Sequence, residues 1–521
     1  MLVCRNRDVR PHISEKGEEN TMRDVPSILF VAITPPEYVP SNVRNYGIKR
    51  RFQLIPHKHS VLALTAWLRE RGCDGHYVWI NEAGKNPLFK VEKAIWEKNP
   101  DAIGFSLATE ELLSHYKVIE KIKKLYPEIP IIVGGHHVSA EPIHTLLNFP
   151  LIDYVCIGEG ECTLEEWLKN IVSGNNGSDM REVKGLGFRD LSGDVVINPP
   201  RDKIQDINIL PDPAFDLIVD PECMDNSMTA FPLIGSYGCR YYCTFCAADH
   251  GNYRYMSSER MVDQIQNAQQ KYGVEYFAIR DSFWPPSDAW LDEFCTLVEN
   301  RKLRIKFHFE TRAGTLNCNQ YKRLKRIGLQ AVAVGVESGD PWMLRSMKKA
   351  ITIDLARRTF HDLHKAGICS VAFFMLGNYG ETMETIHRSE KVAHELNPTL
   401  ISLATFRPLP GTESFEFVKP EDRDWWMRGK YPSICSLPIR ELDKAREEVH
   451  IRYPLRWDYL KQHVFAGRLG EEYRSLAWNS FLVHLRKYML GVSERSGLMR
   501  FVIHVAKHML RNAHTVELNG S

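Results

Sequence analysis

A chain of 521 residues is too long for one hydrophobic core, so two or three domains are expected. Hydrophobic residues at 44% and charged residues at 25% exclude a largely disordered protein. Lys+Arg 67 against Asp+Glu 65 leaves a net charge of +2, which gives no electrostatic reason for a nucleic-acid partner. Residues 1–26 are polar, lack the apolar core of an export signal, and read as a disordered leader. No stretch approaches the roughly 18 consecutive apolar residues of a membrane span. Nine of the 12 cysteines are scattered, so a reducing cytoplasm is the expected compartment.

From Ser27 to Val172, short apolar runs alternate with amphipathic stretches. The runs "SILFVAIT" (27–34), "HYVWIN" (76–81), "DAIGFSLA" (101–108), "IPIIVGG" (129–135) and "IDYVCIG" (152–158) predict five strands. The segments between them, such as "SVLALTAWLRERG" (60–72) and "ECTLEEWLKNI" (161–171), predict helices. This alternation implies a doubly wound α/β unit over 27–172, with a parallel sheet covered on both faces. Ligands in such sheets sit beyond the carboxyl ends of the strands. That rim carries Thr34, Ser106, "GGHHVS" (134–139) and "GEGE" (158–161). Residues 173–225 read as a linker and a small strand-and-loop bridge.

A second alternation fills residues 226–420. "FPLIGSYG", "YFAIRD", "IKFHFETR", "AVAVGVESG", "SVAFFMLG" and "LISLATFRP" predict six strands with helices between them. Six βα units are too few for a closed eight-stranded barrel but enough for an open one, with its site at the C-terminal strand ends. Those ends carry a cysteine cluster, Asp281, Glu310–Arg312, Glu337–Ser338 and "GNYGET". Residues 421–521 turn helical and rich in Trp, Arg and His. "DRDWWMRGKYP" (422–432) is expected to shape a substrate pocket. "GLMRFVIHVAKHMLR" (497–511) is a basic amphipathic pattern that suits peripheral contact with a membrane, although such patterns more often pack on a neighbouring helix.

Within "GCRYYCTFC" (238–246), Cys239, Cys243 and Cys246 stand at C-x3-C-x2-C spacing. The spacing alone fits two metals. Zinc would want a fourth protein ligand, and His250 supplies a Cys3His set in a zinc-stapled binding protein. A four-iron cluster on three cysteines would instead keep one iron open for a chelating amino acid. Position separates the two: the loop follows the first strand of a large barrel, at the end where other polar groups collect, which favours the cluster.

The loop, with Phe245 before its last cysteine, resembles that of the radical S-adenosylmethionine superfamily. "GGHHVS", "DYVCIGEGE", "RYMSSE" (254–259), "FAIRDSF" (277–283), "GVESG" (335–339), "FMLGNYGET" (374–382) and "PLPGT" (408–412) extend the resemblance over residues 27–415. Together they resemble the class with a cobalamin (B12)-binding domain, which includes radical methylases and the anaerobic magnesium-protoporphyrin monomethyl ester cyclase. The resemblance implies a Rossmann-like cobalamin-binding domain, an open partial (β/α)6 TIM barrel and a helical C-terminal region. It implies a [4Fe–4S] cluster on Cys239, Cys243 and Cys246, whose open iron chelates S-adenosylmethionine and, after one-electron reduction, yields a 5′-deoxyadenosyl radical. It places Phe245, Asp281, Arg312, Glu337, Ser338 and Gly377 near S-adenosylmethionine, and Ser106, Gly134, Gly135, His137, Ser139, Glu159 and Gly160 near cobalamin. The competing reading of Arg312 and Glu337 is an ion pair bracing the barrel.

The implied activity is methylation of an unactivated carbon of a small-molecule, lipid or tetrapyrrole substrate. An oxidative cyclisation on the same cofactors is the alternative. No side chain is required as a general base. The implied partners are a small-molecule substrate and an external one-electron reductant such as flavodoxin or ferredoxin. Two departures from the pattern bear on cobalamin. "DGHYVW" (74–79) does not supply the cobalt-ligating histidine of D-x-H-x-x-G, and "IPHKHS" (55–60) keeps only Pro56 of the usual P-L-G-L loop.

Overall fold

The computed structural model describes residues 25–34, 59–81, 87–174, 178–218, 230–467 and 469–491. The 1–24 part of the expected leader, residues 55–58 of the altered loop and the 497–511 helix lie outside them. Two sheets, the first mixed and the second wholly parallel, organise the described residues. The first has the order β2-β1-β3-β4-β5-β6-β7, with β1 Ser27–Thr34, β2 Asp74–Asn81, β3 Ala102–Ser106, β4 Ile131–Gly134 and β5 Tyr154–Cys156 all parallel. Ile28 to Ile33 of β1 are all buried. A run of that kind needs helices on both faces of the sheet, and it has them. Val61, Leu68, Leu164 and Trp167 cover one face, and Val91, Ile95, Leu112 and Ile119 cover the other.

The strands expected in the 173–225 bridge belong to this sheet. β6 Leu186–Arg189 and β7 Val195–Ile197 add to the β5 edge in antiparallel fashion. The chain order turns back between β1 and β3, which opens a crevice at their carboxyl ends.

The second sheet has the order β15-β14-β13-β12-β11-β8 and is parallel throughout. Its strands are β8 Phe231–Leu233, β11 Tyr276–Ile279, β12 Lys306–Arg312, β13 Leu329–Glu337, β14 Cys369–Leu376 and β15 Leu400–Thr405. β8 and β15 form its two edges, so the barrel is open. A two-stranded ribbon, β9 Ser236–Tyr237 with β10 Arg254–Tyr255, brackets the cysteine loop.

The rims of the two sheets face each other. Arg254 on β10 pairs with Glu159, and Tyr237 on β9 donates to Glu161 at 3.1 Å. Ala140 lies against Gly411, where an added Cβ would stand 3.0 Å away. Two apolar clusters lock this arrangement. Leu62 and Phe215 join the barrel core, while Phe406, Phe415, Trp425 and Trp426 join the core of the first domain with Leu112, Ile119 and Phe149. The tryptophan pair expected to shape a substrate pocket is therefore buried packing, 2% and 3% exposed. Burial of these large rings outweighs the pull of the charged residues around them.

Trp426 packs edge-on against His137 and His144 of the first domain. Trp426→Ala is expected to cost about 3–5 kcal/mol of unfolding free energy in urea titration and to open residues 419–434 to protease. Unchanged stability and cleavage would mean that the ring does not clamp the domains.

Candidate active site

The cysteine loop leaves β9 through Gly238, whose φ is +75°. A Cβ there would run into the Asn252 carbonyl oxygen, so this turn needs glycine. Three backbone bonds pin the loop: Cys239 N–H donates to the Asp249 carbonyl at 3.0 Å, Thr244 N–H to Met347 at 3.0 Å, and Ser414 N–H to Thr244 at 2.9 Å. Ala248 N–H points at the Cys246 sulfur, 3.4 Å away. Burial pushes the Cys243 and Cys246 thiols up. Lys349 and then Arg312 oppose this at Cys243, and the Ala248 N–H does so at Cys246.

Three thiols in one loop suit a cluster held on separate irons. His250 Nε2 lies 2.9 Å from the Cys246 carbonyl oxygen, while its Nδ1 is buried without a partner. Among the described residues, no three His, Cys, Asp or Glu side chains converge on a single-ion site. A four-iron cluster spreads its thiolates over separate irons and needs no such convergence.

Two expected residues stand beside the loop with polar atoms to spare. Asp281 follows β11, and its Oδ1 accepts the Gly235 N–H at 2.7 Å. Its Oδ2 is buried and makes no well-formed hydrogen bond, and burial raises the carboxyl to about 7 against the pull of the Gly235 N–H and of the Ser236 hydroxyl and N–H beside it. The register Ile279↔Phe309 brings Asp281 level with Thr311, next to Arg312 at the end of β12. The Arg312 guanidinium stacks 3.7 Å over the Tyr241 ring, and its Nη2 is buried and unpartnered. A buried acceptor at one strand end and a buried donor at the next suit a ligand that carries an ammonium and a carboxylate.

Other expected contacts are committed elsewhere. Glu337 takes an ammonium from Lys349 at 2.7 Å, so its ion pair is not with Arg312. Ser338 is fully buried, shares a hydrogen bond with Ser389 at 3.3 Å and accepts the Asp340 N–H, which turns it into helix packing. At Gly377, with φ +96°, a Cβ would strike Leu442 at 2.6 Å, so it makes room for the 439–452 helix. Phe245 is partly buried against the apolar cluster that the two domains share.

On the facing rim, Ser106 ends β3 half-buried and Gly134 ends β4. At Gly135, with φ +103°, a Cβ would meet the Leu107 carbonyl at 2.6 Å, so the neighbouring loop alone demands glycine. Ser139 Oγ accepts the Gly158 N–H at 3.0 Å, stitching two rim loops together. His137 is buried between Thr109, 3.2 Å from its Nδ1, and the Trp426 edge, and burial lowers it to about 4. Its Nδ1 is taken by Thr109, while its Nε2 is buried without a partner. Glu159 is spent on Arg254 and on the Ile204 N–H, and Gly160 packs on Leu64 at the start of the 161–172 helix. The rim still offers main chain and small residues to a flat ligand.

Sequence reasoning missed Tyr241 and Lys349. A tyrosine in an aromatic loop and a lysine in "MKKA" look like ordinary surface residues. Only the folded chain lays one under Arg312 and turns the other inward.

Comparison with known proteins agrees with this geometry. Residues 233–393 match the Radical SAM superfamily, and residues 47–168 match the B12 binding domain. The chain is 26% identical over 331 residues to an uncharacterized methyltransferase of Pyrococcus horikoshii, covering 63% of this chain and 71% of that one. It is 26% identical over 336 residues to the anaerobic magnesium-protoporphyrin IX monomethyl ester cyclase of Rubrivivax gelatinosus, covering 63% of this chain and only 60% of that protein. The fold matches the cobalamin-dependent S-adenosylmethionine radical enzyme OxsB with a TM-score of 0.64 at 17% identity, over 94% of this chain and 76% of that one. It matches the methyltransferase TsrM from Kitasatospora setae with a TM-score of 0.60 at 18% identity, over 75% and 76%. The two domains and their facing rims thus define an enzyme that works with a [4Fe–4S] cluster, S-adenosylmethionine and cobalamin. The chain belongs to the radical SAM superfamily, in the class that carries a B12-binding domain.

A carboxyl held at about 7 in the fold and near 4 when unfolded binds more protons in the folded state between those values. Asp281 therefore makes unfolding free energy fall as pH rises from about 4 to about 7 and level off above. Glu381, also raised to about 7 by burial, acts in the same sense. Asp281→Asn is expected to flatten this profile and to exceed the parent's stability near pH 8, read by urea unfolding across the range. Parallel profiles would show that the Oδ2 is not buried at a cost.

Proposed function

We propose that this enzyme transfers a methyl group to an unactivated carbon of a small-molecule substrate held between the two rims. The observation that carries the reading is the pair of buried, partnerless atoms on Asp281 and Arg312 beside the cysteine loop. When bound, the cluster and S-adenosylmethionine supply one-electron cleavage of the sulfonium, and cobalamin carries the methyl group.

The chain's own residues do the rest. Cys239, Cys243 and Cys246 hold the cluster. Asp281 takes the amino end of S-adenosylmethionine, and Arg312, braced by Tyr241, takes its carboxylate. Ser106, Gly134, Gly135 and Ser139 line the cobalamin side with main chain and hydroxyl groups. The interdomain clamp of Trp425 and Trp426 keeps the rims together. No side chain serves as a general base. Electrons come from an external one-electron carrier such as flavodoxin or ferredoxin.

The cyclase of Rubrivivax gelatinosus is as similar to this chain as the methyltransferase of Pyrococcus horikoshii, so ring closure is the second reading. One experiment separates them. Protein purified anaerobically after expression with iron and cobalamin is expected to carry about four irons and one cobalamin per chain. Incubated with methyl-labelled S-adenosylmethionine, a reductant and a fractionated small-molecule extract, it is expected to label a product and release S-adenosylhomocysteine in step. A substrate consumed without label would favour ring closure. Cys243→Ala is expected to lose the iron while keeping its cobalamin and fold, and Arg312→Gln to weaken S-adenosylmethionine binding at least about tenfold, the scale of a charge-assisted hydrogen bond. Zinc near one per chain with no iron would overturn the proposal.

A further inference from the structure

Alternate residues of the second sheet face away from its covering helices. On β12, Phe307 and Phe309 pack into the helix-covered core, so His308, Glu310 and Arg312 stand on the opposite, inner face. On β14, Ala372, Phe374 and Leu376 join that core, while Val371, Phe373 and Met375 between them stay half-buried. The register stacks these inner residues in layers. Glu310, Ala333, Val371 and Leu400 are level, and Arg312, Gly335, Phe373 and Ser402 form the next layer toward the rim. Extending the pairing Ile279↔Phe309 by one residue brings Arg280 level with Glu310, and the two side chains pair at 2.9 Å.

A closed βα barrel fills its interior with layers of bulky branched side chains. This one is not filled. Its layers carry the small residues Ala333, Gly335, Ser402 and Ala404, and Ala404 is exposed although it lies within a strand. The space is nonetheless bounded. At its floor, Ala331 and Cys369 pack against Leu469, Tyr473 and Leu476. Along the β15 edge, the 439–452 helix takes the Leu403 N–H on His450 Nε2 at 3.2 Å and the Thr405 hydroxyl on Asp443 at 2.7 Å. The inner face is thus a well that opens toward Arg312 and the rim. Arg280 and Glu310 are 37% and 40% exposed in it. An ion pair that exposed adds at most about 1 kcal/mol, so stability does not account for two charges where packed barrels place apolar residues. The pair is also unsaturated. It joins Arg280 Nη1 to Glu310 Oε1, and among the described residues the other guanidinium N–H groups and the second carboxylate oxygen take no side-chain partner.

We infer that Arg280 and Glu310 anchor the substrate in this well, and that the substrate is a small molecule with an apolar body and one end that carries an anionic group beside a hydrogen-bond donor. Arg280 takes the anion on its free N–H groups, in the fork that a guanidinium offers a carboxylate or phosphate. Glu310 takes the donor, an ammonium or hydroxyl, on its second oxygen. Val371 and Phe373, on the wall two strands away, cover the apolar body. A charged end held one layer below Arg312 leaves that body directed toward the cysteine loop. A wholly neutral amphiphile would leave both charges unserved. The inference rests on the methyl-transfer reading for what happens to the substrate, and on the well alone for how it is held.

The test uses the full chain, purified anaerobically with iron and cobalamin. A small-molecule extract is split by anion exchange at about pH 11, where ammonium groups are neutral and acids are retained. Each fraction is incubated with the protein, excess is removed by gel filtration, and what stays bound is read by mass spectrometry. Wild type is expected to keep a compound from the acid fraction. Arg280→Gln is expected to keep at least about tenfold less of it, the scale of a charge-assisted hydrogen bond, with iron content and S-adenosylmethionine binding unaltered. Ala333→Leu, which fills the well at the level of Glu310 and touches neither charge, is expected to show a similar loss. Wild type that keeps only compounds from the unretained fraction, or none, would overturn the inference, as would equal retention by Arg280→Gln. Loss of S-adenosylmethionine binding in Arg280→Gln would also sink it, by placing the pair in that cofactor's site. If Arg280→Gln does not fold, undiminished retention by Ala333→Leu decides against it. Methyl-labelled S-adenosylmethionine and a reductant then probe the chemistry separately. A retained acid that gains no label supports the anchor while counting against methyl transfer.

Discussion

Taking a carboxylate and a guanidinium out of water without giving each a full set of partners is costly, and this barrel does so at neighbouring strand ends. Asp281 has one oxygen bonded to Gly235 and one bare, and Arg312 is propped on Tyr241 with one nitrogen bare. The rest of the fold provides for that arrangement. Parallel pairing of β11 with β12 brings both residues to the carboxyl ends of adjacent strands, and Tyr241 of the pinned cysteine loop lies under Arg312. An ammonium would suit Asp281 and a carboxylate Arg312. That gives the site a reason to prefer an amino acid over a neutral nucleoside.

The second constraint is the clamp between domains. Without it, the crevice of the first sheet and the mouth of the barrel would be two separate half-sites. Leu62 and Phe215 fasten one side to the barrel, and Phe415, Trp425 and Trp426 fasten the other. Between them the Glu159–Arg254 and Glu161–Tyr237 contacts set the angle at which the rims meet. The acidic rim loop therefore spends its charge on orientation. His137 likewise spends one imidazole nitrogen on Thr109 and packs its ring against Trp426.

Charge placement around the cysteine loop follows the same economy. Cations gather there from three strands' ends and loops, yet each has a distinct setting. Arg240 stacks on Tyr253 and Phe283, Arg312 on Tyr241, and Lys349 is locked to Glu337. Stacking keeps a guanidinium in place while leaving its N–H groups available, whereas an ion pair consumes the charge and fixes it. The three cations are thus not interchangeable.

The amino-acid sequence by itself determined the five parallel strands of the first sheet, the six of the second and the three-cysteine loop. Apolar runs of six to nine residues between amphipathic helices leave few arrangements other than largely parallel sheets, and C-x3-C-x2-C with an aromatic before the last cysteine is local and specific. It also placed Asp281 and Arg312 at the rim, because the end of a strand can be read from where the apolar run stops. Only the tertiary structure decided which polar side chains remain available. Glu159, Glu337, Ser338 and His137 all lie on the correct rim, yet each is claimed by a partner far along the chain, at Arg254, Lys349, Ser389 and Trp426. Such pairings depend on how two domains meet and on which way one lysine turns. No period or motif encodes that, because the free energy that selects it comes from contacts between residues distant in sequence.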